Sequence, residues 1–436
     1  TNIQNPLFAF HRLTLSVRFA SSSPKGRASG ETNNFARIAK ASPLGRGGSA
    51  LALTERAGDP NDRSITMKKK LIALLAAVAM VFSLAACGST PDSVGTIGTV
   101  NITSGLYLLA QYDAYQKAAD LASSEQDATD VKAFLKQTIT VDADSGETAT
   151  VSDYVSQKTM ENLETYAAIE TRFEELGGQL TAEEEAQADS YASQLMEQYG
   201  DTYKANGIGL NTVQRFERIL IKSTDLLELV YGVDGETPVS DADLTSHLEN
   251  NMYELAYYTI PLYNTSTYAS ADDDQITQML ALTQAAVDQT NAAAAADSST
   301  LLGYFSGVVT SALPEVYAVL GSTYSSDSNA PSLELIGDST VTSAFTAEGA
   351  ADTIRGLSIG QAAAVKYNSY ALMAALRLDP LSLKALDDLR GQVLNDMKGE
   401  ELSEALTAYG ASLEHNLNSS AMNRMPASKI VNSSTN

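Results

Sequence analysis

Few residues in this sequence of 436 are equipped for covalent or acid–base chemistry. There is one cysteine, Cys87, and there are three histidines, His11, His247 and His415, none sharing a local motif with another. A Ser/His or Cys/His nucleophilic centre needs nucleophile and base within hydrogen-bond reach, so that class is disfavoured. We place His247 and His415 on surface helices. The carboxylates make poor metal ligands. Glu183, Glu184 and Glu185 fall in the first turn of a helix, where negative charge suits the dipole, and Asp272, Asp273 and Asp274 read as another solvated helix start. The acidic turn in "VDADSGET" lacks the glutamate that closes a calcium loop at its twelfth position. A hairpin turning at Asp144-Ser145-Gly146 is expected there instead. What remains is an aromatic cluster, Tyr253, Tyr257, Tyr258 and Tyr263, in "MYELAYYTIPLY". Strand alternation puts Tyr253, Tyr257 and Tyr263 on one face and Tyr258 on the other. Core packing accounts for such a cluster; an adaptable surface for extended peptides is the sharper reading, since Tyr offers large contact area at low entropic cost. No cofactor and no metal are implied.

The single thiol has a different setting. "MKKKLIALLAAVAMVFSLAAC", Met67 to Cys87, joins three lysines to an uncharged apolar run that ends in small residues. This is the layout of a secretory signal peptide. The run is shorter than the ~20 residues a bilayer-spanning helix needs. Its last four residues, Leu84-Ala85-Ala86-Cys87, resemble the lipobox of bacterial lipoproteins, in which the cysteine thiol is alkylated with diacylglycerol before the leader is removed. That resemblance implies lipidation at Cys87 and anchorage on the extracytoplasmic face of the cell membrane, each buried CH₂ adding ~0.8 kcal/mol. Residues 1–66 carry nine Lys or Arg against four Asp or Glu and are rich in Ser, Gly, Arg and Asn. We read them as translated upstream DNA, disordered and outside the fold, with Met67 as the true start.

From Cys87 onward, 17 basic residues face 49 acidic ones, with no tryptophan and no second cysteine. So large an acidic excess repels phosphate backbones, and nucleic-acid binding is not expected. It also disfavours broad contact with anionic headgroups, leaving the lipid as the tether. Core packing must rely on aliphatic side chains and Tyr.

The elements that must position these residues begin after a linker, residues 87–96, ending in "GSTPDSVGT". A strand-like piece and a helix follow, the helix carrying Leu108, Tyr112, Tyr115 and Ala119 on one face with Leu109 beside them. Helical patterns run from Val155 to about Tyr231. One helix stops at Gly177-Gly178, the next starts at Thr181 with Glu184 three residues on as a capping box, and a third starts after Asn211. They predict a bundle-like module. Pro238 marks a boundary. Beyond it come a short helix in "DADLTSHLENN", a strand in "YELAYYTIPLY", and a long stretch rich in Ala and Gln. "LELIGDSTVTSAF" reads as strand and loop, "GAADTIRGL" as a helix, "SIGQ" as a turn and "AAVKYNSYALMAALRL" as a strand. Helices resume after Pro380 and a polar tail ends the chain.

This succession resembles the parvulin-type foldase lipoproteins and periplasmic chaperones, the PrsA and SurA class. "IGTVNITSGLYLL", Ile97 to Leu109, is similar to the family's opening "V-x-V-N-G-x-x-I-T", without its glycine. "YYTIPL" is similar to the "H-I-L-I-P-L" strand that opens the isomerase domain, with Tyr257 in the place of its histidine. "IRGLSIGQAAAVKYNSYALM" aligns Leu357, Gly360 and Tyr370 with the domain's closing phrase, and its second histidine falls on Ala371. "GYFSGVVTSALPEVYAVL" is similar to a further family segment, with Phe305 and Pro314 in register. The implied fold class is α+β, mostly α. A helical chaperone module (97–237) is rejoined by C-terminal helices (380–425) before a tail (426–436). A degenerate parvulin-like domain (238–379), a four-stranded antiparallel sheet wrapped by helices, is inserted between them.

The implied activity is chaperoning of unfolded or exported polypeptides, with peptidyl-prolyl isomerisation the alternative and a structural or solute-binding envelope role the second alternative. Rotating a prolyl bond means losing amide resonance against a barrier of ~18–20 kcal/mol, and the family builds its polar network around two histidines absent here. The positions matching them, Tyr257 and Ala371, carry no imidazole, and no catalytic residue is assigned. Tyr257, Tyr258, Phe305 and Tyr370 are the candidate substrate contacts.

Overall fold

The computed structural model describes residues 90–123, 126–143, 145–293, 297–325 and 330–432. His11, Cys87 with its apolar segment, and Asp144 lie outside them.

The described residues open on a tight hairpin, β1 (Ser93–Ile97) and β2 (Val100–Thr103), paired antiparallel. Thr103 then caps α1 (Ser104–Asp120), its hydroxyl accepting from the Leu106 N–H at 3.2 Å. The 3.6-residue spacing predicts one buried face on α1; the structure buries it on nearly every side. Leu106, Tyr107, Leu109 and Tyr112 enter one hydrophobic core, while Ala114, Tyr115 and Ala118 enter a second. The second core is supplied by α2 (Val131–Phe134) and the expected hairpin, β3 (Thr138–Asp142) with β4 (Glu147–Thr150). A helix clasped between two cores keeps only a narrow polar stripe, with Asp113 paired to Lys117 at 3.0 Å, which is why periodicity alone did not describe it.

Three long helices follow: α3 (Val151–Glu175), α4 (Ala182–Ala205) and α5 (Leu210–Tyr231). The helix α4 begins with the predicted capping box, Thr181 and Glu184 each bonding the other's backbone N–H. The start of α5 is earlier than expected. Gly209 caps it without a side-chain bond, and Asn211, a plausible capping residue in sequence, lies inside the first turn.

After Ser240, which caps α6 (Asp241–Asn251), the chain enters β5 (Met252–Pro261). The stretch rich in Ala and Gln is a helical hairpin, α7 (Asp273–Ala292) and α8 (Ser298–Ala318). Then come β6 (Ser332–Gly337), α9 (Asp338–Ala344), α10 (Ala350–Gly356), β7 (Ala362–Lys366) and β8 (Ala371–Leu378). Two sequence expectations are corrected here. "DSTVTSA" is the helix α9, with no strand or loop in it. "AAVKYNSYALMAALRL" folds back on itself as β7 and β8, because Asn368 Oδ1 accepts from the Tyr370 and Ala371 N–H groups and makes a turn.

The four strands form an antiparallel sheet ordered β6-β5-β8-β7. Its alternating residues feed two cores. Ala256, Tyr258 and Ile260 face side chains of α7 and α8, and Tyr253, Leu255 and Tyr257 face those of α9 and α10.

The last long helix, α11 (Leu386–Ser412), returns to the first core. Leu389, Val393, Leu394, Leu402 and Leu406 join Leu163 and Phe173 of α3 and Leu226 and Leu227 of α5. Beyond it, β9 (His415–Leu417) pairs with β1, so His415 sits in a strand, where a helix was expected. Gly95, at φ 117, makes that pairing possible: a Cβ there would lie 2.2 Å from Asn416 O. A short α12 (Ser419–Met422) follows. The polar end of the chain is tied down, with Val431 and Asn206 exchanging two hydrogen bonds of 2.9 Å.

The architecture is a mostly helical α+β fold, a helical body with small sheets and an inserted sheet-containing region. No described helix is long and apolar enough to cross a membrane.

At Gly410 of α11 an added Cβ would lie 2.4 Å from Glu164 O on α3. Gly410→Ala is therefore expected to lower stability by about 1–3 kcal/mol, read by urea unfolding. Asp225 on α5 gives a pH prediction. Burial first, then the nearby Glu184 carboxylate, push its pKa up to about 7 from 3.8. Between those values the folded chain holds a proton that the unfolded chain releases, so stability falls as pH rises through that window. Asp225→Asn is expected to flatten this slope and add on the order of 2 kcal/mol at pH 8, measured as unfolding free energy against pH.

Candidate functional site

The central strand β5 carries the residues singled out by sequence, and its neighbours decide what each can do. Tyr257 is 1% exposed, and its hydroxyl donates to Glu334 Oε2 at 3.1 Å across to β6. Burial, and then the carboxylate beside it, hold the phenol far above its ordinary pKa of 10.0. At neutral pH it is a bound, neutral donor and no general base. Ala371 opens β8 opposite Pro261 and enters the same core as Tyr257, so the two positions share one face of the sheet. Between a methyl group and a phenol committed to a carboxylate there is no imidazole pair. Phe345, Ile354, Tyr367 and Met373 fill the face around them. The Thr259 hydroxyl, buried without a partner among the described residues, is on that face by alternation.

On the opposite face Tyr258 and Phe305 meet, ring centroids 5.9 Å apart, and the Tyr258 hydroxyl bonds Ser306 Oγ at 2.8 Å. Phe305, a residue of α8 in the segment aligned by the family phrase, is fully buried, and Pro314 lies inside the same helix. The structure thus brings Tyr258 and Phe305 together and separates both from Tyr257 by the thickness of the sheet. Tyr370 is the exposed member of the set, at 74%, on the β7–β8 turn. Tyr263, assigned by alternation to the Tyr257 face, lies beyond the end of β5; it bridges Ser270 and stacks on Tyr268.

Neither histidine is part of this arrangement. His247 is on α6, as expected, but it is half-buried, with Nε2 2.8 Å from Asp396 Oδ2 of α11. His415 Nε2 lies 3.5 Å from Glu164 Oε1. Among the described residues no three His, Cys, Asp or Glu are placed to hold a metal ion.

Sequence reasoning missed three groups. Glu334 is the partner of Tyr257; the isolated acid within the apolar "LELIG" was the available signal. Glu254, 1% exposed in β5, has neither carboxylate oxygen hydrogen-bonded among the described residues, and burial raises its pKa against the opposing charge of Lys384. Tyr268 has a positive φ, for which a tyrosine gives no sequence signal.

No protein-family model matches the chain, and no curated protein matches it. Among solved structures it is similar to foldase protein PrsA from Streptococcus pneumoniae, with 10% sequence identity and a TM-score of 0.31, over 65% of this chain and 97% of that one. That is a distant likeness of fold.

Replacing Tyr257 by Phe removes a hydrogen bond from a buried carboxylate. Tyr257→Phe is expected to cost about 1–3 kcal/mol of stability, visible as a lower urea midpoint with an unchanged m-value.

Proposed function

We propose that this protein is a lipid-anchored extracytoplasmic chaperone of the parvulin-type foldase class, one that holds unfolded exported polypeptides without isomerase chemistry. The observation that carries the reading is the inserted sheet. Four antiparallel strands with helices on both faces lie between α6 and α11, and α11 returns to the helical core. This is the arrangement implied by the resemblance of "IGTVNITSGLYLL" and "YYTIPL" to that class. In this reading residues 97–237 and 380–425 make the chaperone module and 238–379 the degenerate isomerase domain; of the expected linker 87–96, Ser93 onward belongs to β1 and the module, which leaves the residues before it as the link from a lipidated Cys87. The Tyr257–Glu334 pair supports the loss of catalysis, because it stands where acid–base chemistry would need an imidazole.

Two assays on the full chain test this. The protein is expected to slow aggregation of a chemically denatured client and to leave a proline-limited refolding phase, which runs over tens of seconds or more, unchanged. Acceleration of that phase, abolished in Tyr257→Phe, would make the protein an isomerase. Failure to slow aggregation or to bind a denatured client ends the chaperone proposal.

A further inference from the structure

Tyr268 is the one non-glycine among the described residues whose backbone is left-handed, at φ 59. A side chain there crowds the following carbonyl, a conformation that glycine adopts at no such cost. Outliers of this kind persist only where the surroundings impose them. Asn264 imposes this one. Its N–H donates to Ala269 O and its carbonyl accepts from the Tyr268 N–H, both at 2.8 Å. Its Oδ1 accepts from the Ser266 and Thr267 N–H groups at 2.9 Å, and its Nδ2 donates to Leu320 O, just beyond α8, at 2.6 Å. The ring held in this way stacks on Tyr263, with centroids 6.2 Å and planes 22° apart, yet it is 58% exposed. Strained backbone here fixes an aromatic face toward water.

Tyr370 belongs to the same end of the sheet. Its carbonyl accepts from the Leu262 N–H at 2.8 Å, and the Leu262 carbonyl in turn accepts from the Ala271 N–H at 2.8 Å. That second bond brings in the first turn of α7, where Asp272, Asp273 and Asp274 are all exposed. Gln275 Nε2 fastens the turn to Val319 O at 3.4 Å. In the described residues of 262–275, 314–325 and 366–371 the carboxylates are these three and Glu315, against one ammonium, Lys366. The stacked Tyr263–Tyr268 pair, the exposed Tyr370 and the exposed Asp272–Asp274 turn are thus tied by backbone hydrogen bonds to one end of the sheet, where carboxylates outnumber ammonium groups.

We propose that this end of the sheet domain, faced by Tyr263, Tyr268 and Tyr370 and rimmed by the Asp272–Asp274 turn, docks Lys- and Arg-bearing stretches of extended polypeptide. The proposal rests on the chaperone reading for its choice of a polypeptide partner. Tyrosine faces attract ammonium and guanidinium groups through the ring quadrupole. The apolar stems of those side chains cover the rings, and the surrounding carboxylates concentrate cations at the site. An acidic peptide would meet the same carboxylates as repulsion, and an uncharged glycan would gain nothing from them.

The test is titration of the full chain with a short unstructured peptide of alternating lysine and serine, its glutamate counterpart, and a chitin oligosaccharide. The wild type is expected to bind the lysine peptide about tenfold or more tighter than the glutamate peptide, less tightly as salt screens the charges. Tyr268→Gly combined with Tyr370→Ala is expected to weaken lysine-peptide binding about tenfold while leaving the melting temperature unchanged or higher, since glycine relieves the backbone. Undiminished lysine-peptide binding by that variant overturns the proposal, as does equal or tighter binding of either other probe. If the same variant still holds a denatured client while the lysine peptide remains bound, the site falls and the chaperone reading stands. If the wild type holds no client, the chaperone reading falls and the peptide titration decides the site on its own.

Discussion

The return of α11 to the helical core is the constraint on which the rest of the structure depends. Without Leu389, Val393, Leu394, Leu402 and Leu406, the faces of α3 and α5 that they cover would meet water, at about 1.5–3 kcal/mol for each large side chain left unburied. Directional contacts fix the helix in place. Tyr231 donates to Glu401 at 3.1 Å, Tyr409 donates to Glu175 at 2.9 Å, and β9 then pairs with β1. Pairing the two ends of the described chain is a contact of long sequence separation, which makes closure slow to form.

The same closure explains how a sheet domain can be carried in the middle of the chain. Its entry helix α6 and its exit helix α11 are clamped to each other by Arg390 on Asp241 at 2.6 Å and by His247 on Asp396 at 2.8 Å. An insertion whose two ends are held side by side costs little extra loop entropy. Gln392 of α11 also donates to Leu335 O of β6, so the sheet is oriented by the helix that closes the body. Within the sheet, alternation along β5 sends Tyr257 and Tyr258 into different cores, where each phenol already has a hydrogen-bond partner. The interior of this domain is therefore built for rigidity, and its candidate chemistry lies on the outside, where Tyr268 and Tyr370 are exposed.

What the sequence made legible was local. The Thr181–Glu184 capping box, the β3–β4 hairpin, the extent of α6 and the strand β5 were all readable, because each is fixed by residues within a few positions of one another. The mostly helical α+β class, which the family resemblance implied, is the class observed. What was not legible depended on distant parts of the chain. The all-round burial of α1 requires two cores, one of them closed by α11, and the anchored tail requires Asn206 to meet Val431. The β7–β8 turn was misread because "KYNSYA" has no glycine or proline to announce it, and Asn368 does the work through its side chain. The candidate site was legible in part. Tyr257 and Tyr258 were correctly placed on opposite faces, but the burial of Phe305 of α8 in the core that holds Tyr258 and the stacking of Tyr263 on Tyr268 arise only from tertiary contacts.

Residue-resolved hydrogen exchange under native conditions tests the closure most directly. The backbone amides of α3, α5 and α11 are expected to exchange with a common opening free energy, because they share one core. Amides of α11 that exchange freely while α3 and α5 stay protected would contradict the account.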